Sequence, residues 1–136
     1  MSDEHELIQR FLSAPRFAVV GASNDPSKYG AKVFACYLQN RREVYPVNPR
    51  ETEIQGHKAY ASLDDLPQRV SSVSIITPPA VTERVVEDAA RMGATSVWMQ
   101  PGAESPAAIR KAQELGLDVI AGGPCLLVVL GYRERW

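Results

Sequence analysis

Phe17-Ala18-Val19-Val20-Gly21-Ala22-Ser23 is the stretch on which the reading of the fold turns. Its four consecutive apolar residues describe a strand covered on both faces, as a central strand of a parallel sheet must be. The run stops at a glycine. A polar loop, Gly21 through Lys28, then leads into an amphipathic stretch from Tyr29 to Gln39, with Val33, Phe34, Tyr37 and Leu38 on one face. Strand, glycine turn and helix together open a βαβ unit.

The same alternation extends to both ends. Asp3 to Leu12 reads as a short opening helix, with Leu7, Ile8, Phe11 and Leu12 on one side. Val44-Tyr45-Pro46-Val47 is a second strand, and its proline, lacking an amide donor, predicts a strand that lies toward a sheet edge or is irregular near its end. Lys58-Ala59-Tyr60 is read as a short strand after a turn at Gln55-Gly56, and Leu63 to Leu66 as one helical turn. Ser72 to Ile76, Ser96 to Met99 and Asp118 to Ile120 supply further strands. Between them lie a helix from about Ala80 to Met92, ended by Gly93, and a helix with Ser105 as N-cap, Pro106 at its first position and Gly116 past its last turn. The expected architecture is α/β: a three-layer, doubly wound single domain over residues 1–136, with a mostly parallel sheet of five to six strands.

In such a sheet the C-terminal strand ends share one edge, where ligands bind at the point of strand-order reversal. Here those ends are small, Pro-rich or polar: Gly21-Ala22-Ser23, Asn48-Pro49, Thr77-Pro78-Pro79, Gln100-Pro101-Gly102 and Gly122-Gly123-Pro124. The first loop is the phosphate candidate. Gly21 permits a sharp turn and close backbone approach; Ala22, Ser23 and Asn24 follow it, Lys28 supplies a compact charge, and Tyr29-Gly30 open a helix whose free amides attract an anion. The three-glycine dinucleotide fingerprint is missing. After the second strand, Val47 is followed by Asn48 and then Arg50, where NAD-selective proteins carry a carboxylate for the ribose. An amide beside a cation accepts a phosphorylated ribose, which points away from NAD and leaves coenzyme A and NADP as alternatives.

These segments, with Pro46-Val47-Asn48-Pro49 and Val97-Trp98-Met99-Gln100-Pro101-Gly102 in this order and a Cys near the last strand, resemble the small stand-alone CoA-binding proteins. Those are similar to the N-terminal CoA-binding domain of the succinyl-CoA synthetase α subunit. The resemblance runs from about Phe11 to Cys125. It implies a Rossmann-like sheet whose first loop contacts the pyrophosphate, with the adenosine end near Asn48. It also implies a pantetheine arm crossing Thr77, Pro78 and Pro79 toward Gln100 and Gly102. The family often has Asp-x-Cys at the last strand, where this chain has Gly123-Pro124-Cys125.

Composition narrows the function classes. A formal net charge of −1, with 15 scattered basic residues, gives no electrostatic grip on nucleic acid. Asp3, Glu4 and Glu6 stand where a secretory signal needs positive charge, and the apolar run Cys125 to Leu130 is too short to span a bilayer, so no membrane association and a cytoplasmic location are expected. Two His and two Cys fall at no metal-ligand spacing, and neither His5 nor His57 gathers a catalytic constellation. The related synthetases depend on a phosphorylated histidine from a separate domain, for which this chain has no room.

The leading expectation is therefore a binder of coenzyme A or acyl-CoA without catalytic residues, acting as a homodimer or with an acyl-CoA enzyme partner. The alternative is an NADP-binding oxidoreductase or redox regulator of the same fold. A third class is an interaction protein with a vestigial pocket, in which the tail Leu126 to Leu130, with Tyr132 and Trp136, covers the core or forms a dimer interface.

Overall fold

Both faces of Phe17–Val20 are apolar, and both are covered: all four residues are buried, Phe17 and Val19 in one cluster, Ala18 and Val20 in another. The computed structural model describes residues 3–134. In chain order these form α1 (Glu4–Leu12), β1 (Phe17–Val20), α2 (Tyr29–Gln39), β2 (Val44–Val47), β3 (Glu53–Ile54), β4 (His57–Lys58), a 3-10 turn (Leu63–Asp65), β5 (Ser72–Ile75), α3 (Pro79–Arg91), β6 (Ser96–Met99), α4 (Pro106–Glu114), β7 (Asp118–Ile120) and a π-helical turn (Leu127–Gly131).

Five strands form one sheet in the order β2-β1-β5-β6-β7, every pair parallel. The chain leaves β1 outward to β2, then crosses back to β5 on the other side, so the order reverses between β1 and β5. Helices α3 and α4 pack with Val73, Ile75, Val97 and Met99 on one face of the sheet. On the other face lie α1, α2 and the π-helical turn, against Phe17, Val19, Trp98 and Ile120. The result is a three-layer, doubly wound α/β domain, as the alternation of elements requires.

Serines replace apolar residues on the α1/α2 side of β5, and packing must satisfy them, since a buried unpaired hydroxyl costs about 1–3 kcal/mol. Ser72 Oγ donates to the Phe11 carbonyl at 2.8 Å, and Ser74 Oγ shares a 2.6 Å hydrogen bond with the Tyr37 hydroxyl.

Strand β2 lies at the sheet edge. The Pro46 carbonyl accepts from the Tyr60 amide at 3.0 Å and the Asn48 amide donates to the Tyr60 carbonyl at 2.9 Å, so the Pro46 nitrogen faces away from β1 and breaks no ladder bond to it.

The segment read as one strand over Lys58 to Tyr60 is divided. His57–Lys58 pairs antiparallel with Glu53–Ile54, whereas Tyr60 makes a single parallel bridge to Val47. The cause is the two-residue turn at Gln55 (φ 50) and Gly56 (φ 82), whose doubly left-handed backbone closes a tight hairpin. Strand β5 stops one residue early, at Ile75, and α3 starts at Pro79 rather than Ala80. In the tail, Leu126 is buried and Leu127 and Leu130 pack on the core, so this segment covers the α2 side of the sheet. Trp136, read together with that tail, lies outside the described residues.

Candidate functional site

The site is built around two backbone crossings at the reversal point. Gly21 leaves β1 at φ +97, and a Cβ there would fall 2.1 Å from the Ile76 carbonyl oxygen at the end of β5. Gly30, in the first turn of α2, would place a Cβ 1.9 Å from the Gly21 carbonyl oxygen. Only hydrogen fits at either position. The start of α2 is thereby pressed against the end of β1, and the first-turn amides of Tyr29 and Gly30, which have no acceptor within the helix, open beside the loop. Lys28 caps this helix without a side-chain hydrogen bond, and no acidic residue stands in its first turn. That leaves an anion-compatible helix end.

Side chains lock the loop from below. Asn48 Nδ2 donates to the Ala22 carbonyl at 2.9 Å, while its Oδ1 accepts from the Arg50 amide at 2.8 Å. Asn24 reaches the β3–β4 hairpin: Nδ2 donates to the Glu53 carbonyl at 2.7 Å, and Oδ1 accepts from the Gln55 amide at 2.8 Å. Gln55 Nε2 then donates to the Ala31 carbonyl at 3.0 Å. Ser23 Oγ accepts from the Asp25 amide, and the Asp25 carboxylate accepts from both the amide and the hydroxyl of Ser27. Those Ser27 bonds hold the Asp25 carboxyl below its usual range.

Two depressions follow the strand ends. One, of about 180 Å³, is lined by Val20, Gly21, Val47, Asn48, Pro49, Ala61, Ser62, Leu63, Thr77, Val81, Val85 and Asp88, a mostly apolar set suited to a flat ring. The next, of about 310 Å³, lies between the ends of β5 and β6, lined by Ile76, Thr77, Pro78, Pro101, Gly102 and Ala103. Thr77 joins the two, its hydroxyl 2.8 Å from that of Thr82.

At β6 the chain builds a different corner. Trp98 Nε1 donates to the Pro124 carbonyl at 3.0 Å, and Gln100 Oε1 accepts from the Leu126 amide at 3.0 Å. Trp98 of β6 and Gln100 just past its end thus hold the positions on either side of Cys125. The Tyr29 hydroxyl is hydrogen-bonded to Cys125 Sγ and lies 3.4 Å from Gln100 Oε1. Burial, followed by the contact with Cys125, raises the Tyr29 phenol well above its ordinary range, so it stays protonated at neutral pH. Gln100 is fully buried, yet its Nε2 has no hydrogen-bond partner among the described residues. A buried amide donor left unmade costs about 1–3 kcal/mol, a cost that an acceptor brought by a ligand removes.

The sequence-predicted residues divide accordingly. Gly21, Val47, Asn48, Thr77, Pro78 and Gly102 line the two depressions, Gly30 packs against Gly21, Ala22 is buried beside it, and Tyr29 and Gln100 meet at the corner by Cys125. Ser23 and Asn24 bond to their own loop and hairpin, Lys28 and Arg50 are exposed, and Pro79 is the first residue of α3. Reading by motif passes over Ala61, Ser62, Leu63, Val81 and Val85 in the apolar depression, and the clamp made by Gln55. Val81 and Val85 carry a signal, the apolar stripe of α3, but that pattern reads equally as core. Among the described residues no group of three or more His, Cys, Asp or Glu is placed to hold a metal ion.

Residues 15–131 match the family described as a CoA binding domain. The α subunit of acetate–CoA ligase (ADP-forming) II from Pyrococcus furiosus is 36% identical over 92 residues, which is 67% of this chain and 20% of that subunit. The chain therefore spans about a fifth of that relative's length. The uncharacterized protein YneT of Bacillus subtilis is 30% identical over 115 residues, 85% of this chain and 83% of its own. Among solved structures, a hypothetical protein from Pyrococcus horikoshii OT3 superposes with a TM-score of 0.86 at 31% identity, covering 93% of this chain and 89% of that one. With the family match running from the residues before β1 to the end of the π-helical turn, this chain belongs to the CoA binding domain family.

Proposed function

We propose that the protein is a coenzyme A-binding module with no chemistry of its own, and that it takes free CoA or an acyl-CoA along the C-terminal edge of its sheet. The observation carrying this reading is the double backbone crossing at Gly21 and Gly30, which sets the open amides of α2 beside a mostly apolar depression. The donor set fits the group. The adenine ring suits the hollow between Val47, Leu63, Val81 and Val85, and the pyrophosphate suits the loop and first turn of α2. The exposed cations Lys28 and Arg50 flank that end. The pantetheine arm suits the depression between Thr77, Pro78 and Gly102, with Gln100 Nε2 as a buried donor near its far end.

Neither His5 nor His57 stands among the residues lining the two depressions. The match to a fifth of a ligase subunit fits a part that holds the cofactor while chemistry is done elsewhere, by an acyl-CoA enzyme as partner. Isothermal calorimetry with CoA, dephospho-CoA, NADP and NAD tests the proposal. CoA binding tightest of the four is expected; binding of NADP or NAD without CoA overturns it.

A further inference from the structure

Cys125 is the one half-buried cysteine; Cys36 is fully buried inside α2, its Sγ directed at the Gly131 carbonyl. Cys125 is also held in place more firmly than its glycine-rich approach suggests. Gly122 and Gly123 turn through left-handed backbone with open space around them, yet the chain is pinned at Pro124 by Trp98 and at Leu126 by Gln100. The intervening thiol is delivered to the Tyr29 hydroxyl. The Gln100 amide completes the cluster: Oε1 accepts from the Leu126 amide and lies 3.4 Å from the Tyr29 hydroxyl, and Nε2 is buried without a partner among the described residues. That free donor is the feature an apolar structural cysteine does not need. It suits a carbonyl oxygen of an amide-containing chain.

We propose that Cys125 is a thiol–disulfide exchange site for the thiol end of coenzyme A, with Tyr29 as the hydrogen-bond donor to its sulfur. This rests on reading the sheet edge as a CoA site, and extends it to redox chemistry at the end of the pantetheine arm. The geometry sets the reach. From β2, beside the hollow assigned to adenine, to β6, which Gln100 directly follows, there are three strand spacings, or about 14 Å. That span is within the length of an extended arm.

The reacting partner is the disulfide of CoA, which is also the oxidant. Cys125 loses its thiol proton to solvent, and its thiolate attacks one sulfur of that disulfide. The CoA–CoA sulfur bond breaks as a Cys125–CoA bond forms, and the second CoA leaves as a thiolate that takes up a proton. A protonated phenol beside the sulfur favours the attacking thiolate, because hydrogen bonds to an ionised acceptor are the strong ones. Reduction by a free thiol reverses the step and returns CoA to the cleft or to solvent.

The test uses the full chain incubated with CoA disulfide and read by intact mass, alongside calorimetry with reduced CoA. The wild type and Cys36→Ala are expected to gain one CoA adduct that dithiothreitol removes, and Cys125→Ser none. Tyr29→Phe is expected to slow the reaction about tenfold and move its pH–rate profile to higher pH, which loss of packing alone does not do. Glutathione disulfide at the same concentration is expected to react far more slowly. The proposal is overturned if the wild type binds reduced CoA yet forms no adduct, if the adduct forms on Cys36, or if glutathione disulfide labels Cys125 as fast. Absence of calorimetric binding by both the wild type and Cys125→Ser instead removes the CoA reading itself, and the exchange site with it.

Discussion

The carbonyl oxygen of Gly21 occupies the space in which a side chain on Gly30 would have to begin, 1.9 Å from the ideal Cβ position. Strand and helix are in contact there through backbone alone. Gly30→Ala therefore meets an obstacle that cannot rotate away, and should cost about 3 kcal/mol, the upper end of overpacking effects. Calorimetric melting should register a fall of roughly 10 °C in Tm, together with weakened CoA binding. Gly56→Ala is the comparison: it has open space and carries only the left-handed backbone strain, about 1 kcal/mol.

Asn48 ties the end of β2 to the loop after β1 through the Ala22 carbonyl. Asn48→Asp turns that donor into a carboxylate facing an oxygen, while the acceptor for the Arg50 amide is kept. Stability should fall by about 1 kcal/mol. CoA affinity should fall about tenfold or more, and dephospho-CoA affinity by less, because the added charge repels the ribose phosphate. Equal losses for the two ligands, measured by titration calorimetry, would place that phosphate away from Asn48.

Tyr37 and Ser74 satisfy each other in the interior at 2.6 Å. Tyr37→Phe strands the serine hydroxyl and should cost about 1–3 kcal/mol in urea denaturation. Adding Ser74→Ala removes the stranded group, so the double variant should recover a good part of that loss. A double variant no better than the single would show that Ser74 finds another partner.

Burial, and then the nearby charge of Cys125, push the Cys36 thiol from its ordinary 9.0 up to about 11. The folded protein therefore keeps a proton that the unfolded chain releases above pH 9, and the unfolded state binds fewer protons in that window. Stability should be undiminished below pH 9 and decline as pH rises toward about 11. Cys36→Ala should flatten the slope of the urea midpoint over that window. An unchanged slope would assign the loss to other groups.

Much of the fold was legible because its signals are local. Ser105 and Pro106 announce the start of α4, and the Ser105 hydroxyl does accept from the Ala108 amide at 3.0 Å. Pro46 announces an edge, and its nitrogen does face outward. The division of Lys58 to Tyr60 was not legible, because a glutamine in the left-handed region at Gln55 carries none of the Asn-Gly signature of such hairpins.

Within the candidate site, the glycine turn after β1 and the strand ends could be read from glycine and proline punctuation. The partners of its side chains could not. Asn24 and Gln55 are 31 residues apart, and Trp98 and Pro124 are 26 apart. No periodicity or capping rule reports such pairs. Asn48 shows the consequence: its residue type says nothing of the loop contacts that engage both ends of its amide in the folded chain.

The outward-facing nitrogen of Pro46 leaves the β2 margin with a missing donor, and the single parallel bridge from Tyr60 occupies its end. At the opposite margin, α1 lies along β7, and Arg10 pairs with Asp118 at 3.3 Å. An edge that lacks a donor and an edge strand packed beside a helix are both poor templates for a second molecule extending the ladder, which works against stacking into fibres.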